Sequence, residues 1–294
     1  MAKQRKNLVS ASYLKRKKRN FFLKGFLATV MTCGCAYGLI YFLNLPSLKI
    51  NEIKISTLKF ADSKNISEDV ENILSGTISY FFPKNSSILY PRKEILENIK
   101  EDFPSVESLD VNLNKTAGVG YALALNLREK EPKLVWCDSA EEQNSCYFAD
   151  ENGFIFTSAP DFSDTTFIHL EGPLYFSTSS IDKVIGSTLP ISYFISGFEE
   201  ASGFLERNGY KMQRIVYDAE NNFYFYIKEI DKSENEENEE FSLILNSKLD
   251  FTEALTNFIL INRQYKLEEK KNSPKRHLEY ADLRFGKNIV FKWK

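Results

Sequence analysis

Apolar and polar positions divide the chain into one short apolar run and a long, mostly polar remainder. Residues 25–45 read GFLATVMTCGCAYGLIYFLNL and contain no charged side chain. About 20 consecutive apolar residues are enough for a helix to cross the hydrocarbon core of a bilayer. The pattern therefore predicts a single transmembrane helix over 25–45, followed by about 250 residues on one side of the membrane.

A cleaved signal peptide would produce a similar apolar run, and Ala36-Tyr37-Gly38 has the small residues of a cleavage site. The run nevertheless stays apolar through residues 39–43, where a signal peptide would already have become polar. This continuation favours an uncleaved signal anchor.

Between residues 49 and 128, the hydrophobic pattern predicts the order strand, helix, helix, strand, strand. Ile50, Ile53 and Ile55 indicate a short first strand, and a stretch that resembles a capping box, Asn65-Ile66-Ser67-Glu68, marks the first helix. Pro91 and Pro104 are suited to the start and the end of the second helix. Strict alternation then predicts the last two strands, with apolar positions at Val106, Leu109, Val111 and Leu113 and at Val119, Tyr121, Leu123, Leu125 and Leu127.

Residues 129–294 are richer in predicted strands, and the chain as a whole is expected to be an α+β protein. Two helical stripes, over 193–205 and 251–265, interrupt these strands. Residues 229–240 carry acidic side chains and one lysine, so we expect a solvated acidic loop there. The predicted strands are 134–136, 146–148, 154–156, 212–217, 223–230, 241–245 and the last segment, 287–294.

The charges that flank the apolar run predict its orientation. Residues 1–24 contain nine basic side chains and no acidic one. Because basic flanks remain in the cytoplasm, we expect a cytoplasmic tail over 1–24 and extracytoplasmic domains after the membrane. Beyond the tail, 29 basic residues face 40 acidic ones. This excess of negative charge argues against a nucleic-acid-binding surface outside the membrane.

Cys137 and Cys146 are the two cysteines outside the apolar run, and an extracytoplasmic compartment allows disulfides to persist. Their spacing predicts a disulfide that clips a hairpin and stabilises it by about 2.5 kcal/mol. A zinc site is the alternative, but the pair has no nearby histidine.

The sequence offers no catalytic constellation. Its two histidines, His169 and His277, belong to a strand-like stretch and to a basic loop, and no motif places a nucleophile beside a base. We therefore expect a protein that binds partners, with no enzyme activity, cofactor, metal or small-molecule substrate. Asp282 and Arg284 are expected to form a structural charged pair.

Three short motifs follow one another in the extracytoplasmic part. Residues 129–136 fit E-x-x-P-x-x-x-W, residues 150–156 fit D-x-x-G-x-x-F, and Asp282-Leu283-Arg284-Phe285 fits D-L-R-aromatic. In this order, behind a basic tail and an apolar anchor, the chain resembles the bacterial cell-division family FtsQ/DivIB.

The resemblance implies a POTRA (polypeptide-transport-associated) domain over 49–128 and an FtsQ-like β-domain, a mixed sheet with flanking helices, over 129–294. It also implies a single-pass scaffold, enriched at the division septum, that binds FtsB/DivIC-like and FtsL-like partners. The POTRA domain would offer a second surface to other division proteins. The motif match places the partner contact on Phe285, Ile289, Val290, Phe291 and Trp293.

The last segment, 287–294, also has the alternation of a strand, and we expect its outer edge to lack an intramolecular neighbour. Such an edge can accept a strand from a partner through its backbone groups. Alternation places Ile289, Phe291 and Trp293 on one face of this strand and Val290 on the other.

A POTRA-bearing component of protein secretion or envelope assembly is the alternative function. Such a protein should show tandem POTRA repeats or a barrel of regularly alternating strands. The sequence predicts one POTRA-like unit and too few strands for a barrel.

Overall fold

The computed structural model describes residues 11–138, 145–160, 167–174, 184–230, 240–272 and 277–294. The chain is an α+β protein that separates into two compact units. The first contains the described residues up to Ile99 together with Ser108–Leu127, and the second contains Lys100–Glu107 and the described residues from Arg128 onward. Most of the predicted acidic loop, residues 231–239, lies outside the described residues.

Helix α1, Ala11–Leu43, contains residues 25–43 of the predicted span. Its segment Asn20–Leu43 is long and apolar enough to cross a membrane, and most of that segment is exposed. The helix ends two residues before the predicted boundary at residue 45, and a short 3-10 turn follows at Pro46–Leu48. Pro46 explains the early end, because a proline disfavours the helical conformation of the residue before it.

The first unit has the predicted order of elements, with one addition. A short hairpin, formed by the two-residue strands β2 and β3, separates the two helices and was not predicted. The elements are β1 Ile50–Ile55, α2 Ser63–Leu74, β2 Thr77–Ile78, β3 Phe82–Pro83, α3 Arg92–Asp102, β4 Val106–Lys115 and β5 Tyr121–Glu129. Strand β5 lies between β1 and β4, and it runs parallel to β1.

The predicted capping box at Asn65–Glu68 was wrong. Helix α2 begins at Ser63, and the cap is Asp62, whose Oδ1 accepts a hydrogen bond from the Lys64 N–H at 2.9 Å. Ile66 is fully buried and lines up with the buried residues Val70 and Leu74 at i, i+4 and i+8, as one apolar stripe. The earlier start follows from Asp62, whose side chain satisfies a free backbone N–H of the first turn.

Val119 was also misplaced by the sequence pattern. It is 64% exposed and lies in the turn before β5. The strand cannot extend back to it because Gly120 has a φ of +105°, a left-handed conformation that interrupts the pleat. Leu123, Leu125 and Leu127 are buried as predicted.

The second unit is built on a large mixed sheet. Its strands are β6 Leu134–Asp138, β7 Cys146–Ala149, β8 Ile155–Ser158, β9 Ile168–Gly172, β10 Tyr210–Tyr217, β11 Asn222–Glu229, β12 Phe241–Asn246, β13 Leu278–Asp282 and β14 Val290–Trp293. Among the described residues, the order across the sheet is β14-β13-β12-β11-β10-β9-β6-β7-β8. Strand β9 is parallel to both of its neighbours, whereas β10, β11 and β12 are antiparallel.

Two helices supply the other half of the second unit's core. Helix α4, Ile195–Arg207, ends at the predicted Asn208-Gly209, and α5 spans Phe251–Asn272, beyond the predicted end at residue 265. The predicted basic loop covers residues 270–276. Its first three residues, Lys270 to Asn272, belong to α5, and residues 273–276 lie outside the described part. The aromatic rings of Phe198 on α4, Phe223 and Phe225 on β11, and Phe251 on α5 pack together. The contacting pairs have ring centroids 5.2–5.9 Å apart.

Candidate functional site

The residues predicted to bind a partner belong to the hairpin of β13 and β14. Strand β14 pairs antiparallel with β13, which pairs parallel with β12. Leu283, buried at the start of the connection, donates its N–H to the Ile244 carbonyl at 2.8 Å. Gly286, with a φ of +67°, turns the chain back toward β14. The connection between β13 and β14 is therefore bonded to β12, in the interior of the sheet.

The side chains of β14 alternate between the core and the opposite face, as predicted. Ile289 and Phe291 pack against the main hydrophobic cluster of the second unit. The Phe291 ring lies 5.2 Å from the Tyr265 ring and 6.0 Å from the Trp293 ring, measured between centroids. Val290 is 51% exposed on the other face. Of the five predicted contact residues, Ile289 and Phe291 thus also stabilise the fold.

The outer face of the hairpin carries a charged pair next to Val290. Lys292 Nζ lies 2.9 Å from Glu279 Oε1 and 5.6 Å from the centre of the Tyr280 ring. The hydrogen bond and the negative charge of Glu279 raise the pKa of Lys292. Charged side chains of this kind are common on edge strands, where they discourage unspecific pairing.

Alternate residues of β14 direct their backbone N–H and C=O groups away from β13, along the outer edge of the sheet. Lys294 donates its N–H to the His277 carbonyl at 2.8 Å, so Lys294 directs its backbone groups toward β13. Successive residues of a strand direct these groups to opposite edges. The bulge of the hairpin lies in β13, between Leu278 and Tyr280, so it leaves the alternation of β14 intact. Phe291 and Trp293 therefore direct their N–H and C=O groups outward, where no described strand follows.

The D-L-R-aromatic motif, at the end of β13 and in the connection to β14, forms a bidentate ion pair. Arg284 Nε and Nη2 donate to the two carboxylate oxygens of Asp282, and Arg284 Nη1 lies 3.5 Å from Asn222 Oδ1. Burial of Asp282 opposes its ionisation, but the hydrogen bonds from Arg284 outweigh this effect and lower the pKa of Asp282. The pair is a structural clamp at the start of the hairpin, in agreement with the prediction.

Phe285 stands beside an open depression on the same surface. Its side chain is 60% exposed, although phenylalanine is among the residues most often buried. The depression is lined by Asn222, Asn246, Lys248, Leu249, Arg284 and Phe285. The sequence reasoning missed the two asparagines and Lys248, since only the pairing of β11 with β12 brings them next to the Asp282-Arg284 motif.

The other two motifs are structural. Asp150 accepts hydrogen bonds from the backbone N–H groups of Asn152 and Phe154, and its carboxylate lies 2.7 Å from Lys130 Nζ. Gly153 takes a φ of +72° in the same turn. Trp136 is fully buried, and its Nε1 donates to the Tyr217 hydroxyl at 3.1 Å. These residues fix the turn between β7 and β8 and the interior of the sheet.

Cys137 and Cys146 face each other across β6 and β7 and form a disulfide with Cα atoms 4.1 Å apart. The bond closes the hairpin whose loop, residues 139–144, lies outside the described part. Within the described part of the chain, no three His, Cys, Asp or Glu side chains form a group that could hold a metal ion.

No protein-family model matches the sequence, and no curated protein matches it.

Proposed function

We propose that the chain is a single-pass membrane scaffold of the bacterial cell-division machinery, located at the septum. Its extracytoplasmic part would recruit FtsB/DivIC-like and FtsL-like proteins during septum assembly. The proposal is supported by the order of the three motifs behind a basic tail and an apolar helix, and by the element order of the first unit. It assigns binding to the chain and no chemistry.

The open edge of β14 is the observation on which the proposal mainly rests. Two residues, Phe291 and Trp293, offer two N–H and two C=O groups in the spacing of a strand. An extended partner segment can bond to all four, and each hydrogen bond contributes about 1 kcal/mol net. Backbone pairing of this kind supplies affinity without sequence specificity.

Side chains around the edge would supply the specificity. Phe285 and Val290 are both more than half exposed, at 60% and 51%. An apolar side chain of the partner that covers Phe285 would remove its own surface and that of Phe285 from water. This burial contributes about 25 cal/mol of binding free energy per Å² of apolar surface. Exposed aromatic residues are common anchors of protein interfaces.

The first test separates the backbone contribution from the side-chain contribution at Trp293. The full chain in detergent would be titrated with the outer segments of its FtsB-like and FtsL-like partners. Trp293→Ala keeps the outward N–H, whereas Trp293→Pro removes it, and proline is tolerated where an edge N–H faces solvent. We expect Trp293→Pro to bind about fivefold more weakly than Trp293→Ala, which corresponds to the loss of one hydrogen bond of about 1 kcal/mol.

The second test examines Phe285 with a matched control. Leu260, on α5, is also 60% exposed, and it lies about 200° around the helix from Phe258, which contacts Phe291, so Leu260→Ala removes a similarly exposed apolar side chain from the opposite face of α5. Phe285→Ala should weaken binding while Leu260→Ala leaves it unchanged. Equal affinity of Trp293→Pro and Trp293→Ala, together with no effect of Phe285→Ala, would place the partner surface elsewhere.

A further inference from the structure

Three segments of the first unit meet where α1 ends. The linker after the helix, residues 44–51, is bonded to the segment after β3, because the Ile50 N–H donates to the Asn85 carbonyl at 2.8 Å. The linker is also bonded to the turn before β5, because Asn51 Nδ2 donates to the Val119 carbonyl at 2.9 Å. The short hairpin of β2 and β3 completes this end of the unit, and Cα atoms of β3 come within 8 Å of Cα atoms of α1.

Large apolar side chains are exposed at this end. Tyr80, at the tip of the β2–β3 hairpin, is 93% exposed, and Phe81 beside it is 66% exposed. Ile88 and Val119 are also more than half exposed. Single exposed apolar residues are ordinary on a protein surface, but several in neighbouring segments usually mark a surface that another phase or molecule covers.

The tip of the hairpin has a costly backbone conformation. Ser79 and Tyr80 have φ angles of +51° and +66°, in the left-handed region. This conformation is unfavourable for residues with a side chain, and especially for a bulky one such as tyrosine. Glycine or asparagine would fit the turn with less strain. The strain is retained at a position where the tyrosine contributes nothing to the core, which indicates a role for its exposed ring.

The charges at this end also differ from the rest of the extracytoplasmic part. Residues 44–51, 76–91 and 114–120 contain no Asp or Glu, and their charged side chains are Lys49, Lys84 and Lys115. Lys84 pairs with Glu94 of α3, at 2.8 Å. The whole chain beyond residue 24, by contrast, has 40 acidic residues against 29 basic ones. Apolar segments that contain no acidic residue of their own are compatible with the headgroup region of a bilayer.

We propose that the β2–β3 hairpin inserts Tyr80 and Phe81 into the outer interface of the membrane that α1 crosses. The ligand is the phospholipid bilayer itself, at the boundary between headgroups and acyl chains. Tyrosine suits this boundary because its ring is apolar and its hydroxyl remains hydrated. The hairpin would thus hold the first unit against the membrane. The inference depends on α1 as a membrane span and is independent of the division partners.

The test uses tryptophan as a depth probe in the full chain, reconstituted into phosphatidylcholine nanodiscs. Phe81→Trp introduces the probe at the hairpin with little change in shape. Two matched variants bracket it: Phe26→Trp lies within the span, and Thr57→Trp lies just past the opposite end of β1, about 20 Å from the helix exit. The native Trp136 and Trp293 also emit. Their emission is measured in the wild-type chain and subtracted from the emission of each probe variant. Quenching is measured with lipids brominated along the acyl chains and with iodide in the water.

We expect brominated lipid to quench the probe at position 81 at least about twofold more strongly than the probe at position 57, with the order reversed for iodide. Position 26 should be quenched by lipid alone. Iodide quenching at 81 equal to that at 57 would refute the insertion. Protection of position 81 from both quenchers would also refute it, because a protein would then cover the hairpin. Loss of lipid quenching at position 26 would contradict the membrane span, which distinguishes that failure from failure of the hairpin alone.

Discussion

Arg284 binds both carboxylate oxygens of Asp282, with Nε 2.9 Å from Oδ1 and Nη2 2.7 Å from Oδ2. The Arg284 N–H also donates to Asp282 Oδ1 at 3.1 Å. The pair therefore fixes the backbone at the point where β13 leaves the sheet. This position makes it a determinant of the hairpin that carries β14.

Removal of this clamp should destabilise the second unit in a pH-dependent way. Arg284→Ala should lower the free energy of unfolding by about 1 kcal/mol at neutral pH, a value reduced by the partial exposure of the arginine. Because the pKa of Asp282 is lowered in the folded state, the stabilisation is present above the unfolded pKa of about 3.9 and is lost as the pH falls through the folded value. Urea unfolding followed by Trp136 fluorescence measures it.

The difference between wild type and Arg284→Ala should accordingly be constant between about pH 7 and about pH 5 and should shrink below about pH 4. Lys292→Ala, which removes the more exposed pair with Glu279, is the control and should have a smaller effect. A difference that grew toward acid pH would contradict the assignment of Asp282 as the charged partner.

The disulfide should contribute measurably to the second unit. Replacement of both Cys137 and Cys146 by serine should lower the free energy of unfolding by about 2.5 kcal/mol, because the unfolded chain gains the freedom of an open loop. A reducing agent should produce the same shift in the urea midpoint of the wild type. A variant with serine at Cys33 and Cys35 is the control, since those cysteines are free and should leave the redox response unchanged.

Truncation of neighbouring residues of β14 should have very different effects on stability. Phe291→Ala removes a ring that packs on Tyr265 and on the core, so we expect a loss of about 2 kcal/mol. Val290→Ala truncates an exposed side chain and should stay within about 0.5 kcal/mol of wild type. Comparable losses in the two variants, measured by urea unfolding, would show that the observed facing of the strand is wrong.

Two glycines in one turn of the first unit form a natural pair for comparison. A Cβ at Gly120 would lie 2.7 Å from the Lys49 carbonyl oxygen and 2.5 Å from Asn51 Nδ2, and the φ of +105° disfavours any side chain. Gly120→Ala should therefore cost about 2 kcal/mol or more and loosen the linker from the turn. A Cβ at Gly118 would meet no atom within 4 Å, so Gly118→Ala should be close to neutral. Circular dichroism of thermal unfolding compares them, and equal losses would contradict this account.

Much of the architecture could be predicted because periodicity reports which face of an element is buried. Val70 and Leu74 at helical spacing, and Leu123 and Leu125 at strand spacing, are all buried in the structure. The same rule predicted which side chains of β14 point toward the core and which point to the opposite face. The start of α2 was mispredicted because two residues that can cap a helix, Asp62 and Asn65, lie within one turn, and the side chain of Asp62 makes the cap.

Long-range neighbours could not be predicted from a local pattern. Arg284 and Asn222 are separated by 62 residues and come together only because three strands, β11, β12 and β13, lie side by side in the sheet. The β2–β3 hairpin was missed for a different reason. Its strands have two residues each, too few for alternation to appear, and its tip uses serine and tyrosine at positions where a turn usually has glycine or asparagine.

Hydrogen exchange of single backbone amides tests the central claim most directly. In the free chain, the outward N–H groups of Phe291 and Trp293 should exchange rapidly, while the N–H groups of Lys292 and Lys294, which face β13, should be protected. Addition of the FtsB-like outer segment should then protect Phe291 and Trp293 and leave Lys292 and Lys294 unchanged, as expected for an added strand. Binding of that segment without new protection at Phe291 and Trp293 would contradict recruitment by strand addition at β14.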